Sequence, residues 1–280
     1  MPNPPTKPVV LVTGTSSGIG RESVLHLRKA GALVIATARR LDAIADLAAP
    51  GEVECLQLDV TDAASREAAV AEILRRHGRI DALVNNAGYG AMLAVEETSL
   101  EAMRRMFETN LFGAHELARL VLPTMRKQGN GRIVNVASIA GHVSVPLLGA
   151  YCSTKFALRA LTQALNNEIR PLGLRACLIE PGVIHTNFST HSLEQAKQNG
   201  AQLDGPYAAY YKRWGHMRNK PNRGKHPRVI ARRVVRACLA QNPPFHSFAP
   251  FWDSKMANLL KRLLPDALLD WGFRLALRSR

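Results

Sequence analysis

The feature that most restricts this chain is an alternation. Short apolar runs at residues 8–13, 32–37, 54–58, 80–84, 132–136 and 175–179 are separated by amphipathic stretches of about ten residues or more. Unbroken apolar runs of this length mark strands buried on both faces, as in a parallel sheet. Parallel neighbours need a crossover, and the intervening stretches are long enough for helical ones. The pattern therefore reads as an α/β fold, a doubly wound parallel sheet with helices on both faces. We expect one such domain over residues 8–250.

Ligands of doubly wound sheets bind beyond the carboxyl ends of the strands. The chemically suggestive residues follow the runs as that rule requires: residues 14–20, Arg39, Asp59, residues 85–88, Ser138 and Pro181-Gly182. The first group, Thr13-Gly14-Thr15-Ser16-Ser17-Gly18-Ile19-Gly20, joins a strand to a helix running to about residue 30. Its glycines permit close backbone approach to a diphosphate, and the helix N-terminus supplies amides and a positive dipole end. By itself this spacing also fits a glycine-rich structural turn.

The second strand discriminates between dinucleotides. NAD sites usually present a carboxylate there, for the ribose hydroxyls. This strand ends Thr37-Ala38-Arg39-Arg40, with two guanidinium groups and no carboxylate. A guanidinium pairs with a 2′-phosphate through charge-assisted hydrogen bonds, so the reading is NADP. The other use of these arginines is to solvate the start of the next helix.

Tyr151 and Lys155 lie four apart at the start of a strong helical pattern, so their side chains share a face. An ammonium near a phenol is expected to lower its pKa and make it a feasible acid/base; taken singly, the spacing also fits a pair of ordinary surface residues. Ser138 ends the fifth run, where its hydroxyl either polarises a carbonyl or caps a turn. Asn110 interrupts an apolar helical stretch spanning about residues 100–126, which points to a buried polar task or a kink.

Together these segments resemble the short-chain dehydrogenase/reductase family over about residues 8 to 190. Four matches occur in the family's order: Thr13-Gly14-x-x-x-Gly18-x-Gly20, Asn85-Asn86-Ala87-Gly88, Ser138 separated by twelve residues from Tyr151-x-x-x-Lys155, and Pro181-Gly182. The resemblance implies a Rossmann-type fold and hydride exchange between an alcohol and a carbonyl. It implies that Tyr151 is the acid/base and that Ser138 orients the carbonyl. Lys155 would hold the nicotinamide ribose and tune Tyr151, and Asn110 would support a proton relay. Gly14, Thr15, Ser16, Ser17, Gly18, Ile19 and Gly20 would hold the diphosphate, with Asp59 and Val60 flanking the adenine. Asn86, Ala87 and Gly88 would line the cofactor, while Val183 and Thr186 would contact the nicotinamide amide beyond Pro181 and Gly182. The run ending at Arg39 is similar to the NADP-using branch that includes hydroxysteroid and retinol dehydrogenases, which implies a lipophilic substrate. It also implies a homodimer or homotetramer formed through the helices at about residues 100–126 and 150–170. With Tyr151 and Lys155 both present, catalysis is expected over a regulatory protein that senses NADPH without turnover.

Residues 187–227 break the alternation and are expected to form a substrate loop or lid. The formal charge of +15 is concentrated late: residues 1–190 carry 20 basic against 17 acidic side chains, residues 191–280 carry 17 against 5. No zinc-finger or RNA-recognition signature accompanies it, so a nucleic-acid partner is not expected. Residues 251–280 read as a C-terminal amphipathic helical extension in which Leu259, Leu260, Leu263 and Leu264 share a face and Pro265 starts a second helix. Packing on the enzyme's own body, a pocket lid, a subunit contact and peripheral attachment to an anionic membrane all remain open for it. Residues 1–7 read as a disordered lead-in. Four cysteines without metal-ligand or disulfide spacing, and no apolar stretch near the roughly 20 residues of a spanning helix, give the expectation of a cytoplasmic protein without a metal.

Overall fold

The computed structural model describes residues 7–185, 188–218 and 224–250, together with Leu263, Pro265, Ala267, Leu268, Trp271 and Gly272. Residues 1–6, Thr186 and most of the C-terminal extension lie outside the described residues. Lys7, the last residue of the expected lead-in, donates to the Gly51 carbonyl at 3.0 Å.

Seven parallel strands form one sheet in the order β3-β2-β1-β4-β5-β6-β7. They are β1 (Val9–Val12), β2 (Leu33–Ala38), β3 (Val53–Gln57), β4 (Ala82–Asn85), β5 (Arg132–Val136), β6 (Arg175–Pro181) and β7 (His246–Ala249). Each of the six apolar runs supplies one strand, with ends shifted by a residue or two. β7 was not expected: its sequence, His-Ser-Phe-Ala, has only half its positions buried and gives no apolar run. It pairs with β6 through Leu178 to Pro181.

Side chains of successive strand residues enter opposite layers. Val10, Val12, Val34, Ala36, Val84 and Val134 pack with helices α1 (Gly18–Lys29) and α8 (Arg228–Leu239) on one face. Val9, Leu11, Ile35, Leu83 and Ile133 pack on the other with α2 (Ala63–His77), α4 (Gly113–Gln128) and α5 (Gly149–Ile169). Each large aliphatic side chain so buried contributes about 1.5–3 kcal/mol of transfer free energy. α2 is delimited as its sequence dictates, with the Asp62 carboxylate accepting from Ser65 N at 2.7 Å and Gly78 in the left-handed conformation at its end.

Two stretches depart from the expectations. The helix anticipated over residues 100–126 is divided into α3 (Leu100–Phe107) and α4 by a π-turn at Glu108–Phe112. Residues 187–227 hold two helices, α6 (Phe188–Gln198) and α7 (Ala208–Arg218). β1 and β4 are adjacent where the strand order reverses, and the crevice at their carboxyl ends receives the segments that carry the candidate site.

Candidate active site

The loop after β1 is built around close backbone approach. Gly14 has φ +69°, and a Cβ there would meet the Ala87 Cα at 2.8 Å. A Cβ on Gly20 would overlap the Gly14 carbonyl oxygen and lie 2.5 Å from the Asn86 amide nitrogen. Asn86 Nδ2 in turn donates to the carbonyls of Thr13 and Gly14 at 2.9 and 3.0 Å, locking this loop to the one after β4. Ser17 caps α1 without a side-chain hydrogen bond, and its first turn has no acidic residue. The amides at Gly18, Ile19 and Gly20 are thus left for an anion. Thr15 hydroxyl and amide both donate to the Thr37 carbonyl, at 3.1 and 3.0 Å, which ties the loop to the end of β2. Ser16 and Ser17 are exposed at the rim.

Arg39, just beyond β2, is exposed, and among the described residues no carboxylate lies within 4.0 Å of it; Arg40 is 3.6 Å from Asp42. Asp59 follows β3 and accepts from the Thr61 amide and hydroxyl at 2.9 and 2.7 Å through Oδ1. Val60 beside it is buried. Both stand at the same sheet edge as Arg39, since Leu58 N donates to the Ala38 carbonyl at 2.9 Å.

α5 brings Tyr151 and Lys155 into the interior, on one face. The Ser138 hydroxyl faces the Tyr151 phenol, close enough to act on its pKa, and Lys155 Nζ lies 5.7 Å from the Tyr151 ring centroid. Lys155 Nζ donates to the Val136 carbonyl at 2.9 Å, the last residue of β5. Ser138 also caps the short turn at Ile139–Gly141, accepting from Ala140 N at 3.1 Å, so it both closes a turn and faces the phenol. Asn110 occupies the π-turn and is 1% exposed. Its Oδ1 accepts from Tyr89 N at 3.0 Å, and its Nδ2 donates to the Tyr89 carbonyl at 2.8 Å and the Thr154 hydroxyl at 3.1 Å. Both the polar task and the interruption expected of Asn110 are therefore present.

One expectation is corrected by the electrostatics. The Tyr151 phenol is not lowered: burial pushes it up to about 12, the Ser138 hydrogen bond acting in the opposite sense and the neighbouring Cys152 adding to the rise. Burial likewise brings the Lys155 ammonium down to about 8. Desolvation penalises both charged forms. The pair is thus held as a neutral phenol beside an ammonium that titrates near neutrality.

Pro181 ends β6, and Gly182 N donates to the Ala249 carbonyl at 2.9 Å. Val183 is exposed, and its carbonyl accepts from Lys225 N at 3.2 Å. Tyr89, Ala91, Leu93 and Met106, with Thr98 and Asn199, line a small, mainly apolar depression beside Ala150, the residue before Tyr151. Met92, Leu93, Ala94 and Leu147 pack under Tyr211, with Tyr207, Tyr210 and Trp214 around them. α7 is fastened there by hydrogen bonds from Tyr207 to Glu96 and from Tyr211 to Glu97.

Residues 8–197 match the profile of the short chain dehydrogenase family. The chain belongs to that family. Among its relatives is the 3-ketodihydrosphingosine reductase of Bacteroides thetaiotaomicron, 32% identical over 271 residues, which are 95% of this chain and 97% of the relative. Among solved structures, a short chain dehydrogenase/reductase from Burkholderia phymatum in complex with NAD is similar at a TM-score of 0.79 and 25% identity, over 94% of this chain and 95% of that one. A metagenomic short-chain oxidoreductase in complex with NADP is similar at a TM-score of 0.68 and 26% identity, over 86% and 96%. Family members of this fold thus bind either dinucleotide.

This short-chain dehydrogenase also contains polar groups to which the sequence assigned no role of their own. Thr13 Oγ1 accepts from the amides of Asn86 and Ala87, both at 3.0 Å, and so aligns the two loops. Thr154 accepts from Asn110 and donates to the Tyr151 carbonyl at 2.7 Å. Asn85 donates to Asn135, and Asn135 to Thr162, at 2.9 and 2.8 Å beneath the site. His142 and Glu180, both buried, form a further cluster with the half-buried His246. Polar residues inside apolar strands and helices were the available signal, since each needs a partner once buried.

Proposed function

We propose that this chain is an NADP(H)-dependent oxidoreductase acting on CH–OH and C=O groups, interconverting an alcohol with a ketone or aldehyde of lipophilic character. The observation that carries the reading is Ser138 facing Tyr151, with Lys155 on the same buried face, at the carboxyl edge of the sheet.

The residues fit the cofactor. Gly14, Thr15, Ser16, Ser17, Gly18, Ile19 and Gly20 form the diphosphate cradle, in a space a Cβ at Gly14 or Gly20 would fill. Arg39, free of a carboxylate among the described residues, would hold the 2′-phosphate, and Asp59 and Val60 the adenine. Asn86, Ala87 and Gly88 would line the middle of the site, and Pro181, Gly182, Val183 and Thr186 the nicotinamide end. When bound, the nicotinamide supplies or accepts the hydride.

The chain's own residues manage the proton and the carbonyl oxygen. With its phenol held at about 12, Tyr151 remains protonated and is poised to donate to a carbonyl oxygen as that oxygen gains charge. Ser138 donates a hydrogen bond to the same oxygen and orients it. Lys155 holds positive charge beside the phenol and the cofactor ribose, and Asn110 steadies the Tyr89 backbone and, through Thr154, the first turn of α5. The apolar depression beside Ala150 and the aromatic cluster under α7 support a lipophilic substrate, with residues 187–227 as its lid. The name of the Bacteroides relative supports a ketone.

An open groove between α4 and α5, lined by Ala114, Ala118, Leu122, Leu158, Leu161 and Leu165, supports a homodimer or homotetramer. Among the described residues no helix is long and apolar enough to cross a membrane, compatible with a cytoplasmic enzyme touching membranes only peripherally through residues 251–280. The test is a panel of long-chain, steroid, retinoid and short aliphatic ketones and alcohols with NADPH and NADH. Turnover of the lipophilic members with NADPH is expected. Equal use of NADH refutes the cofactor assignment, and cofactor binding without turnover of any member favours an NADPH-sensing regulatory protein.

A further inference from the structure

Glu180 is a carboxylate in the middle of the fold, 0% exposed, one residue before Pro181-Gly182. It accepts from His142 Nε2 at 2.5 Å through Oε1 and from His246 Nδ1 at 2.8 Å through Oε2. Arg159 Nε lies 3.9 Å from Oε1. An ionised carboxylate only accepts, so both facing ring nitrogens carry protons. Burial pushes the Glu180 carboxyl up, but the two imidazole hydrogen bonds more than offset this and hold it below the ordinary range.

The three partners come from three elements of the candidate site. His142 ends the turn that Ser138 begins, in which Gly141 N donates to the Ser138 carbonyl at 2.9 Å. That turn lies tight on α5, where a Cβ on Gly141 would meet the Lys155 carbonyl at 2.9 Å. Arg159 is on α5 itself, two turns beyond Tyr151, and His246 opens β7. His246 is further fixed by stacking on Phe248 at 5.7 Å between centroids. Burying an ion costs several kcal/mol unless it is well paired, and here the pairing runs through His142 to the Ser138 turn. Its hydrogen bonds go to the two histidines and leave Ser138, Tyr151 and Lys155 to their own partners.

We infer that Glu180 is a positioning residue: through His142 it sets the Ser138 turn, and hence the Ser138 hydroxyl, in register with Tyr151. This rests on the proposed role of Ser138. A hydroxyl displaced by a fraction of an ångström loses its directed hydrogen bond to the developing oxyanion, whereas the cofactor cradle, on β1 and β4, is untouched.

The experiment is a double-mutant cycle between Glu180→Gln and Ser138→Ala, read as kcat, ketone KM, the NADPH dissociation constant and thermal midpoint. Glu180→Gln alone is expected to lower kcat by about tenfold or more, leaving ketone KM and NADPH affinity within about twofold. In the Ser138→Ala background the same substitution is expected to have almost no further effect, because the group it positions is gone. An equal loss in both backgrounds overturns the inference while leaving Ser138 catalytic. A Ser138→Ala enzyme with undiminished kcat overturns the catalytic reading itself, and the two failures are thereby distinct. Where Glu180→Gln yields no folded protein, His142→Gln, which leaves the carboxylate with His246 and Arg159, enters the same cycle: loss confined to the Ser138 background supports the inference, and equal loss in both overturns it.

Discussion

The two halves of the proposed site, one assigned to the nucleotide and one to catalysis, are built by different means. The nucleotide half, after β1, β2 and β4, is shaped by backbone: two glycines without room for a Cβ, an uncapped helix N-terminus, and Thr13 and Asn86 pinning main-chain groups. The catalytic half, on β5, α5 and β6, is shaped by buried side chains that hold one another: Ser138 with Tyr151, Lys155 with the end of β5, Asn110 with Thr154, and Glu180 with two histidines. A grip made of backbone tolerates many changes of side chain but almost no added volume. A site made of buried titratable groups responds instead to the loss of single atoms and to pH.

The largest expected effect lies in the catalytic half. Tyr151→Phe keeps the ring in place but removes the proton, so turnover is expected to fall by at least about 100-fold while NADPH affinity stays unchanged. Steady-state kinetics beside a fluorescence binding titration checks this, and near-normal turnover would erase the contrast between the halves. Next is Gly20→Ala, whose methyl group has no space against the Gly14 carbonyl and Asn86. Overpacking of this kind costs about 1–3 kcal/mol, and here it is expected to appear as weaker binding of NADPH and NADH alike. A variant that binds both normally would show the cradle to be elsewhere.

Arg39→Ala sharpens the comparison by touching one side chain in the backbone-built half. Loss of a charge-assisted hydrogen bond is expected to weaken NADP(H) binding by about 1–3 kcal/mol and leave NAD(H) nearly unaffected, as competitive titrations would show. The smallest effect is a pH limb. Lys155 is charged below about 8 and neutral above it, because burial lowers its pKa. The kcat/KM for ketone reduction is therefore expected to decline a few-fold as pH rises through about 8, with cofactor affinity for the diphosphate cradle flat across the same range. A profile that is flat throughout would remove Lys155 charge from the reaction.

This division also explains what the amino-acid sequence made legible. Backbone geometry leaves local traces, so the six apolar runs and the loop from Gly14 to Gly20 could be placed by spacing alone. Tyr151 and Lys155 share a helix face at an interval of four, a spacing that taken singly also fits ordinary surface residues; they became legible through the family's other segments matching in order. The cluster around Glu180 was not, since its partners stand 38 and 66 residues away and meet only once β6, β7 and the Ser138 turn are assembled. β7 escaped because it interleaves histidine and phenylalanine in half-buried positions. Around α7, Tyr207, Tyr210, Tyr211 and Trp214 do fall at helical intervals, a signal obscured by the glycines and prolines that flank them. The raised pKa of Tyr151 lay beyond any spacing argument, because it depends on how completely the folded chain excludes water from the phenol.

Under the proposed function, the two halves bring a backbone-held NADPH and a side-chain-held proton together at one carbonyl. Single turnover with NADPH deuterated at its hydride-carrying carbon, on a lipophilic ketone from the panel, tests this most directly. Deuterium is expected on the carbinol carbon of the product in the wild type, and almost none in Tyr151→Phe at the same cofactor occupancy. Deuterium transfer at an equal rate in Tyr151→Phe, or saturable NADPH binding with no transfer to any ketone by the wild type, would contradict it.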